Sequence, residues 1–146
     1  MIKEKEFNYK PNEYDAEKAS NSYLMSVVAL MVGLPLPIIN LIATLMFYFA
    51  NRKGDYFVRW HCTQVLLSQI SVLCMNVAGF SWTMSIIFGS NEITNVYIGY
   101  MLTIILFNLS EFIATIYSAI QTRKGKHVEW WLFAALTNLL CKPDKA

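Results

Sequence analysis

NRKGDYFVRWHCTQVLLSQ, residues 51–69, is a stretch in which a short basic turn runs directly into a long apolar segment. Arg52, Lys53 and Arg59 cluster at the head of that segment. Trp60 and His61 follow, where the interfacial belt lies when a helix enters a bilayer. Because cytoplasmic connections of membrane proteins are rich in Lys and Arg, the stretch predicts a membrane helix that starts on the cytoplasmic side.

The composition of the chain also indicates a membrane protein. Only 15% of the 146 residues are charged, and the mean hydropathy is positive. A small soluble domain needs more polar surface than this. A membrane-spanning helix takes about 20 mostly apolar residues, and three blocks are long enough: 23–50, 65–88 and 96–120. We therefore predict an integral membrane protein with the lipid bilayer as its solvent.

The first apolar block is broken in its middle by Pro35 and Pro37. Each proline removes a backbone donor and biases the preceding residue away from the helical region, so a straight helix is disfavoured there. Two interpretations remain open. The block is either one kinked span, or a hairpin of two short helices that enters and leaves on the same side.

The distribution of basic residues favours the hairpin. Arg123, Lys124 and Lys126 follow the last long block, two full spans after the first basic turn, whereas 89–95 contains no Lys or Arg. By the positive-inside rule the two basic turns are cytoplasmic and 89–95 lies outside. The lysines of the N-terminal segment also prefer the cytoplasm, which requires an even number of crossings in the first block. We predict a multi-pass protein of the cell (inner) membrane with both termini cytoplasmic.

The last apolar run, 130–140, is too short to span a bilayer. It begins with Trp130 and Trp131 beside lysines and a histidine, a pattern typical of a helix at headgroup level. The predicted fold is all-α: a polytopic membrane helix bundle with two short helices from the proline-broken hairpin, two long transmembrane helices and a C-terminal interfacial helix. The corresponding divisions are a polar N-terminal tail, 1–22, a transmembrane bundle, 23–122, and a basic turn with the interfacial helix, 123–146.

Two polar stripes run along the long apolar blocks. Glu111 lies near the middle of 96–120, where an ionised carboxylate costs roughly a few kcal/mol, and Asn108 and Thr115 share its helix face. The second stripe consists of Gln64, Ser68 and Asn76. One interpretation is a polar seam or narrow water-filled path with Glu111 as an ion or proton site. The other is interhelical hydrogen bonding, worth about 0.6–2 kcal/mol per contact, which only holds the helices in register.

No motif in the sequence indicates an enzyme. The chain has no nucleophile elbow, phosphate loop or zincin helix. His61 and His127 lie in the two basic turns, so a histidine pair is possible, but a metal site would need a third ligand. No run of basic residues is interleaved with aromatics as in a nucleic-acid groove. We expect no enzymatic activity, no cofactor, no metal and no nucleic-acid partner.

The order of these parts resembles a known family of small membrane proteins. The residues that carry the resemblance are Tyr56-Phe-Val-Arg-Trp-His-Cys-Thr-Gln64 and Tyr117-Ser-Ala-Ile-Gln-Thr-Arg-Lys-Gly125. They are similar to a family that includes the twenty-kilodalton channel subunit of the chloroplast Tic protein-import translocon and small bacterial relatives. The resemblance implies a four-helix membrane protein with both termini on the inner side and a role beside protein translocation.

Two functions are therefore expected from the sequence. The first is a binding or scaffold subunit of a larger membrane complex associated with protein translocation, whose partners are the bilayer and other membrane subunits. The second is a small oligomeric ion or proton channel or transporter that uses the Glu111 stripe, with a second copy of the chain as partner. A protein that blocks another protein's pore would leave the same pattern as the first.

Overall fold

A computed structural model describes residues 2–33, 37–89 and 92–142 of the chain. Within these ranges there are five helices and one two-stranded sheet, so the all-α prediction is confirmed at that level. The helices are α1 (Glu13–Gly33), α2 (Pro37–Asn51), α3 (Tyr56–Phe88), α4 (Asn95–Arg123) and α5 (Trp131–Leu140). The strands are β1 (Ile2–Lys5) and β2 (His127–Trp130).

The two long helices, α3 and α4, are apolar and long enough to cross a membrane. Each begins at a side-chain cap: Asp55 accepts a hydrogen bond from the Phe57 amide at 3.0 Å, and Thr94 accepts one from the Tyr97 amide at 3.2 Å. At about 1.5 Å per residue, α3 is about 50 Å long and α4 about 44 Å. Both exceed the roughly 30 Å of a bilayer's hydrocarbon core, so part of each helix extends beyond it.

Burial differs between the two ends of this helix pair. The buried residues of α3 lie between Phe57 and Val72, apart from Gly79 further along. Beyond that point α3 exposes large apolar side chains, and Phe88 at its end is 84% exposed. Helix α4 exposes apolar side chains along most of its length. Such a surface suits contact with lipid, whereas the end that holds the first half of α3 is packed by the rest of the chain.

Helices α1 and α2 pack against each other and against α3. The first half of α1 lies in the packed end, where Ala16, Ala19 and Tyr23 are buried. Helix α2 is 15 residues long, about 22 Å, which is less than a crossing requires. The predicted proline break falls on 34–36, outside the described residues; α1 ends just before it, and α2 begins at Pro37.

The sheet joins the two ends of the chain. Strand β1 pairs antiparallel with β2, with Ile2 opposite Trp130 and Lys5 opposite His127. Two ion pairs flank the ladder: Lys5 Nζ lies 2.6 Å from Glu129 Oε2, and Lys126 Nζ lies 2.8 Å from Glu4 Oε2. Part of the segment treated in the sequence as a polar tail is therefore regular structure, with 2–5 in β1 and 13–22 in α1.

The turn from α4 to β2 requires a glycine. Gly125 has a φ of 77°, in the left-handed region that side chains with a Cβ rarely adopt. Its amide donates to the Thr122 carbonyl at 2.9 Å, and the Lys124 amide donates to the Gln121 carbonyl at 3.1 Å. These bonds close the last turn of α4 and direct β2 back along the packed end.

Candidate functional site: a buried hydrogen-bonded chain at the packed end

Five side chains from three elements meet inside the packed end, and we call them the histidine chain: Gln64, Tyr23, His61, His127 and Glu129. His61 and Gln64 are three residues apart and so lie on one face of α3. His127 and Glu129 are two residues apart and so point to one face of β2. Tyr23 reaches them from α1. Helix α3 and strand β2 therefore each place two of the five side chains on one face, and the packing of the two elements brings these pairs together.

The hydrogen bonds of the histidine chain run in one direction. Gln64 Nε2 donates to the Tyr23 hydroxyl at 2.8 Å, and that hydroxyl lies 2.8 Å from His61 Nδ1. His61 Nε2 lies 3.3 Å from His127 Nδ1, and His127 Nε2 lies 3.4 Å from Glu129 Oε1. The Tyr23 hydroxyl accepts a hydrogen bond from Gln64, so its own O–H is directed to His61 Nδ1. His61 Nε2–H then donates to His127 Nδ1, and His127 Nε2–H faces the Glu129 carboxylate, with both imidazoles neutral.

The orientation of the Gln64 amide is fixed by the backbone of β2. Its Oε1 accepts from the Trp130 amide at 2.9 Å, and its Nε2 also donates to the Val128 carbonyl at 3.1 Å. A backbone N–H can only donate and a carbonyl can only accept, so the reversed amide would fail at both contacts. Gln64 therefore starts the histidine chain and attaches β2 to α3.

Aromatic rings enclose the two histidines. The rings of Phe57 and His61 are 4.6 Å apart, and those of Trp60 and His127 are 4.2 Å apart. Phe7, just after β1, lies 4.8 Å from His127. Burial among these rings lowers the pKa of His127 below its usual 6.5, while the Glu129 carboxylate acts in the opposite direction. The site is thus a dry, neutral chain that ends at one carboxylate near the surface.

A second buried group, the Glu111 cluster, joins α3 to α4. Glu111 Oε1 accepts from Gln69 Nε2 at 2.6 Å, from Thr115 Oγ1 at 3.0 Å and from Ser68 Oγ at 3.3 Å. Gln69 Nε2 also lies 2.6 Å from Ser26 Oγ of α1. Oε1 of this buried carboxyl group thus finds its hydrogen-bond partners within the protein, while the Ser68 hydroxyl proton is shared with the Val65 carbonyl at 2.9 Å. The cluster is defined by Glu111, Ser68, Gln69, Thr115 and Ser26.

The residues of the predicted polar stripes separate into three groups. Ser68, Thr115 and Glu111 meet in the Glu111 cluster, as described. Asn76 and Asn108 form a reciprocal amide pair between α3 and α4, with bonds of 3.1 and 2.8 Å. Gln64 joins the histidine chain instead. All the contacts found for these six residues hold the chain's own elements together.

Of the four side chains expected in an interfacial belt, three are buried inside the protein. Trp60 is 1% exposed and donates from Nε1 to Asn138 Oδ1 at 2.7 Å, and His61 is 0% exposed. Trp130 donates from Nε1 to Ser118 Oγ at 2.7 Å. Trp131 is 67% exposed and is free to meet a headgroup layer. The six basic residues of the turns are exposed, except Arg59, which is half-buried: Arg52, Lys53, Arg59, Arg123, Lys124 and Lys126.

The sequence indicated that a pair of His61 and His127 is possible, but it did not identify Tyr23 or Glu129 as their partners. Tyr23 opens the first apolar block and was indistinguishable from the other aromatics at predicted span ends. His127 and Glu129 lie in a four-residue strand, too short for its alternation to be read. Within the described ranges, no group of three or more His, Cys, Asp or Glu side chains could hold a metal ion.

Two long apolar helices with a polar, tightly bonded end define a small helical protein with two possible membrane spans. This chain belongs to the magnetosome magnetite crystal formation protein family, whose model matches residues 19–137. The match covers α2, α3, α4 and β2 completely and the larger part of α1 and α5. No curated protein and no solved structure matches the chain.

The family corrects the resemblance drawn from the sequence. Both stretches that suggested a Tic-type import subunit, 56–64 and 117–125, fall inside the matched range, and the family they belong to is the magnetosome family. The predicted role beside protein translocation is therefore wrong. The channel alternative is likewise unsupported. The residues that carried the resemblance belong to a helix entry and to two basic turns. Such features reflect membrane topology and do not identify a function.

Proposed function

We propose that this chain is a magnetosome membrane protein that takes part in magnetite crystal formation. The observation that carries the proposal is the family match across 19–137, which includes both long apolar helices. The side chains of the histidine chain contact one another in sequence, which favours a structural and interacting role over an enzymatic one. Iron and its oxide are then material on which the assembly acts, and the chain contributes a rigid membrane unit.

The pairing of β1 with β2 supports a topology with both termini on the cytoplasmic side. Two strands that share hydrogen bonds lie on the same side of a bilayer, so an even number of crossings separates Lys5 from His127. Helices α3 and α4 account for two. The pair α1 and α2 then forms a hairpin that enters and leaves on one side, in agreement with the short length of α2.

This topology places the connection between α3 and α4, 89–95, on the side opposite the basic turns. The apolar faces of α3 and α4 are in contact with lipid, with other membrane proteins, or with a second copy of this chain. The chain thus reaches both surfaces of the membrane.

The function is tested by complementation. The full chain is expressed in a magnetite-forming bacterium whose own member of this family has been deleted, and crystal length and number are measured by electron microscopy. We expect crystal dimensions to return towards those of the parent strain. An unrelated two-span membrane protein at matched expression level is the control. Crystals identical to those of the control strain would reject the proposed function.

The topology is tested by cysteine labelling in a variant whose three native cysteines are replaced by serine. Single cysteines are introduced by Glu92→Cys and by Lys124→Cys, and intact cells are treated with a membrane-impermeant maleimide. We expect labelling at 92 while the protein resides in the cytoplasmic membrane, and labelling at 124 only after lysis. The reverse pattern, or equal labelling, would overturn the orientation.

A further inference from the structure

A basic cavity lies where three parts of the chain meet: the end of α2, the start of α3 and the segment after α5. Its volume is about 120 Å³, and its lining includes Arg52, Arg59 and Lys142 together with Thr63 and Tyr48. None of the described residues that line it is acidic. Three cations around one small space favour an anion of the size of a phosphate group.

The two arginines of this cavity lie against aromatic rings of the protein. The Arg59 guanidinium lies over the Tyr56 ring, 5.9 Å from its centroid, and Nη2 donates to the Lys142 carbonyl at 3.3 Å. Thr63 Oγ1 donates to the Arg59 carbonyl at 2.8 Å. The Arg52 guanidinium lies 6.0 Å from the Phe49 ring centroid. Arginines positioned on aromatic rings lose less freedom when an oxyanion binds between them.

Exposed apolar side chains flank the cavity. Met46 and Phe49 lie on the outer face of α2, and Leu139 and Leu140 lie at the end of α5. A free phosphate ion gains nothing from these neighbours, whereas the acyl chains of a lipid would cover them. The cavity also lies beside the first basic turn, at the level where the headgroups of the cytoplasmic leaflet are expected.

We propose that this cavity binds the phosphate group of an anionic phospholipid, with the lipid's acyl chains packed along α2 and the end of α5. The lipid joins three segments that are distant in sequence. This binding site is independent of the role in magnetite formation, since it requires only the cavity and the bilayer.

Lipid binding is measured on the full chain purified in a mild non-ionic detergent. Dioleoyl-phosphatidylglycerol and dioleoyl-phosphatidylcholine are titrated separately, and bound lipid is counted by native mass spectrometry. We expect phosphatidylglycerol to bind at least about tenfold more tightly than phosphatidylcholine, and the double variant Arg52→Gln/Lys142→Gln to lose about tenfold or more of that affinity. Both side chains are exposed, so the fold should tolerate their neutralisation.

The matched control is Arg123→Gln/Lys124→Gln, which removes the same charge from the other basic turn. Retained affinity in this variant supports the cavity. An equal loss in both double variants would show attraction to surface charge in general and would overturn the proposal. So would binding of inorganic phosphate that displaces phosphatidylglycerol and depends on Arg52 and Lys142, since the site would then serve a soluble anion. If the double variant fails to fold, Lys142→Gln alone is compared with Lys124→Gln by the same two criteria.

Discussion

Gln64 is the single residue on which the packed end most depends, because it bonds to α1 and to β2 at once. Replacing it by Glu removes both N–H donors and places a carboxylate against the Tyr23 oxygen and the Val128 carbonyl. We expect Gln64→Glu to lower the free energy of unfolding by about 3 kcal/mol or more at pH 7. The neutral, similar-sized Gln64→Leu should cost less, since it adds no buried charge. Equal losses in denaturant unfolding would contradict this account.

His127 predicts a pH dependence of stability. Its pKa is lowered by burial, so the unfolded chain takes up a proton more readily than the folded one. The free energy of unfolding should therefore be fully retained above pH 6.5 and fall as the pH drops below it. The pKa of Glu4 is lowered from 4.5 to about 2, chiefly by Lys126. Its charge therefore changes mainly below pH 4.5, and it adds little to the pH dependence of stability near pH 6.

The measurement is thermal unfolding followed by circular dichroism between pH 7.5 and 5. We expect the melting temperature of the native chain to fall with pH, and the slope to be smaller in His127→Asn, although that variant starts less stable. A slope that is unchanged by the substitution would assign the pH dependence to other groups.

Individual contacts of this kind could be predicted only in part. The i,i+3 and i,i+4 spacings placed Glu111 with Thr115 and Asn108 on one face, and both interpretations of the two stripes placed them at a contact between helices. The spacing could not show that the Gln64 side chain contacts β2, because a four-residue strand has no recognisable sequence pattern. Trp60, at an expected headgroup level, is instead covered by α5. The periodicity of one helix shows which of its residues share a face. Which other helix or strand packs against that face depends on the whole fold.

At the scale of helices, Gly79 lies where α3 and α4 pack closely against each other. A Cβ at this position would clash with Ile104 Cδ1 and lie 3.6 Å from Tyr100 Cε1. We expect Gly79→Leu to separate the helices and to cost about 1–3 kcal/mol. Gly99 offers the matched control, because its Cβ would meet none of the described residues within 4 Å. Gly99→Leu should be neutral or slightly stabilising in thermal unfolding, and equal effects of the two changes would contradict the packing argument.

The helices themselves were the most predictable part of the fold. The apolar blocks 65–88 and 96–120 fall inside α3 and α4, since a long apolar run has few alternatives to a helix. Both helices begin or end beyond those blocks. Helix α3 starts at Tyr56, directly after its Asp55 cap, and its first turns are partly polar. Hydropathy alone could not include them, because these turns are buried by protein and not by lipid.

For the molecule as a whole, β1 should contribute stability without being needed for membrane insertion. Deleting residues 2–6 removes the ladder with β2 and both flanking ion pairs. We expect a lower melting temperature together with unchanged resistance to alkaline carbonate extraction, since α3 and α4 remain. Lys3→Gln, which alters one exposed side chain of β1, is the control. A melting temperature unaffected by the deletion would show that the sheet is not part of the stable fold.

The membrane class followed from the sequence, whereas the task did not. Low charge, three long apolar blocks and two basic turns predict a lipid environment and an orientation, and any protein with this topology shares them. Short motifs such as 56–64 therefore suggested a family of similar topology and a different role. The family match extends over 19–137 and compares many positions at once. It therefore distinguishes the magnetosome family from the family suggested by the short motifs.

The pairing of β1 with β2 also has a consequence for biosynthesis. β1 is translated before the four helices that separate it from β2, so its strand edge stays unpaired until β2 has been made. A chain inserted with β1 across the membrane from β2 would present β2 as an open strand edge, exposed to aggregation and to membrane proteases. The strand pair therefore forms only when the two strands are on the same side of the membrane.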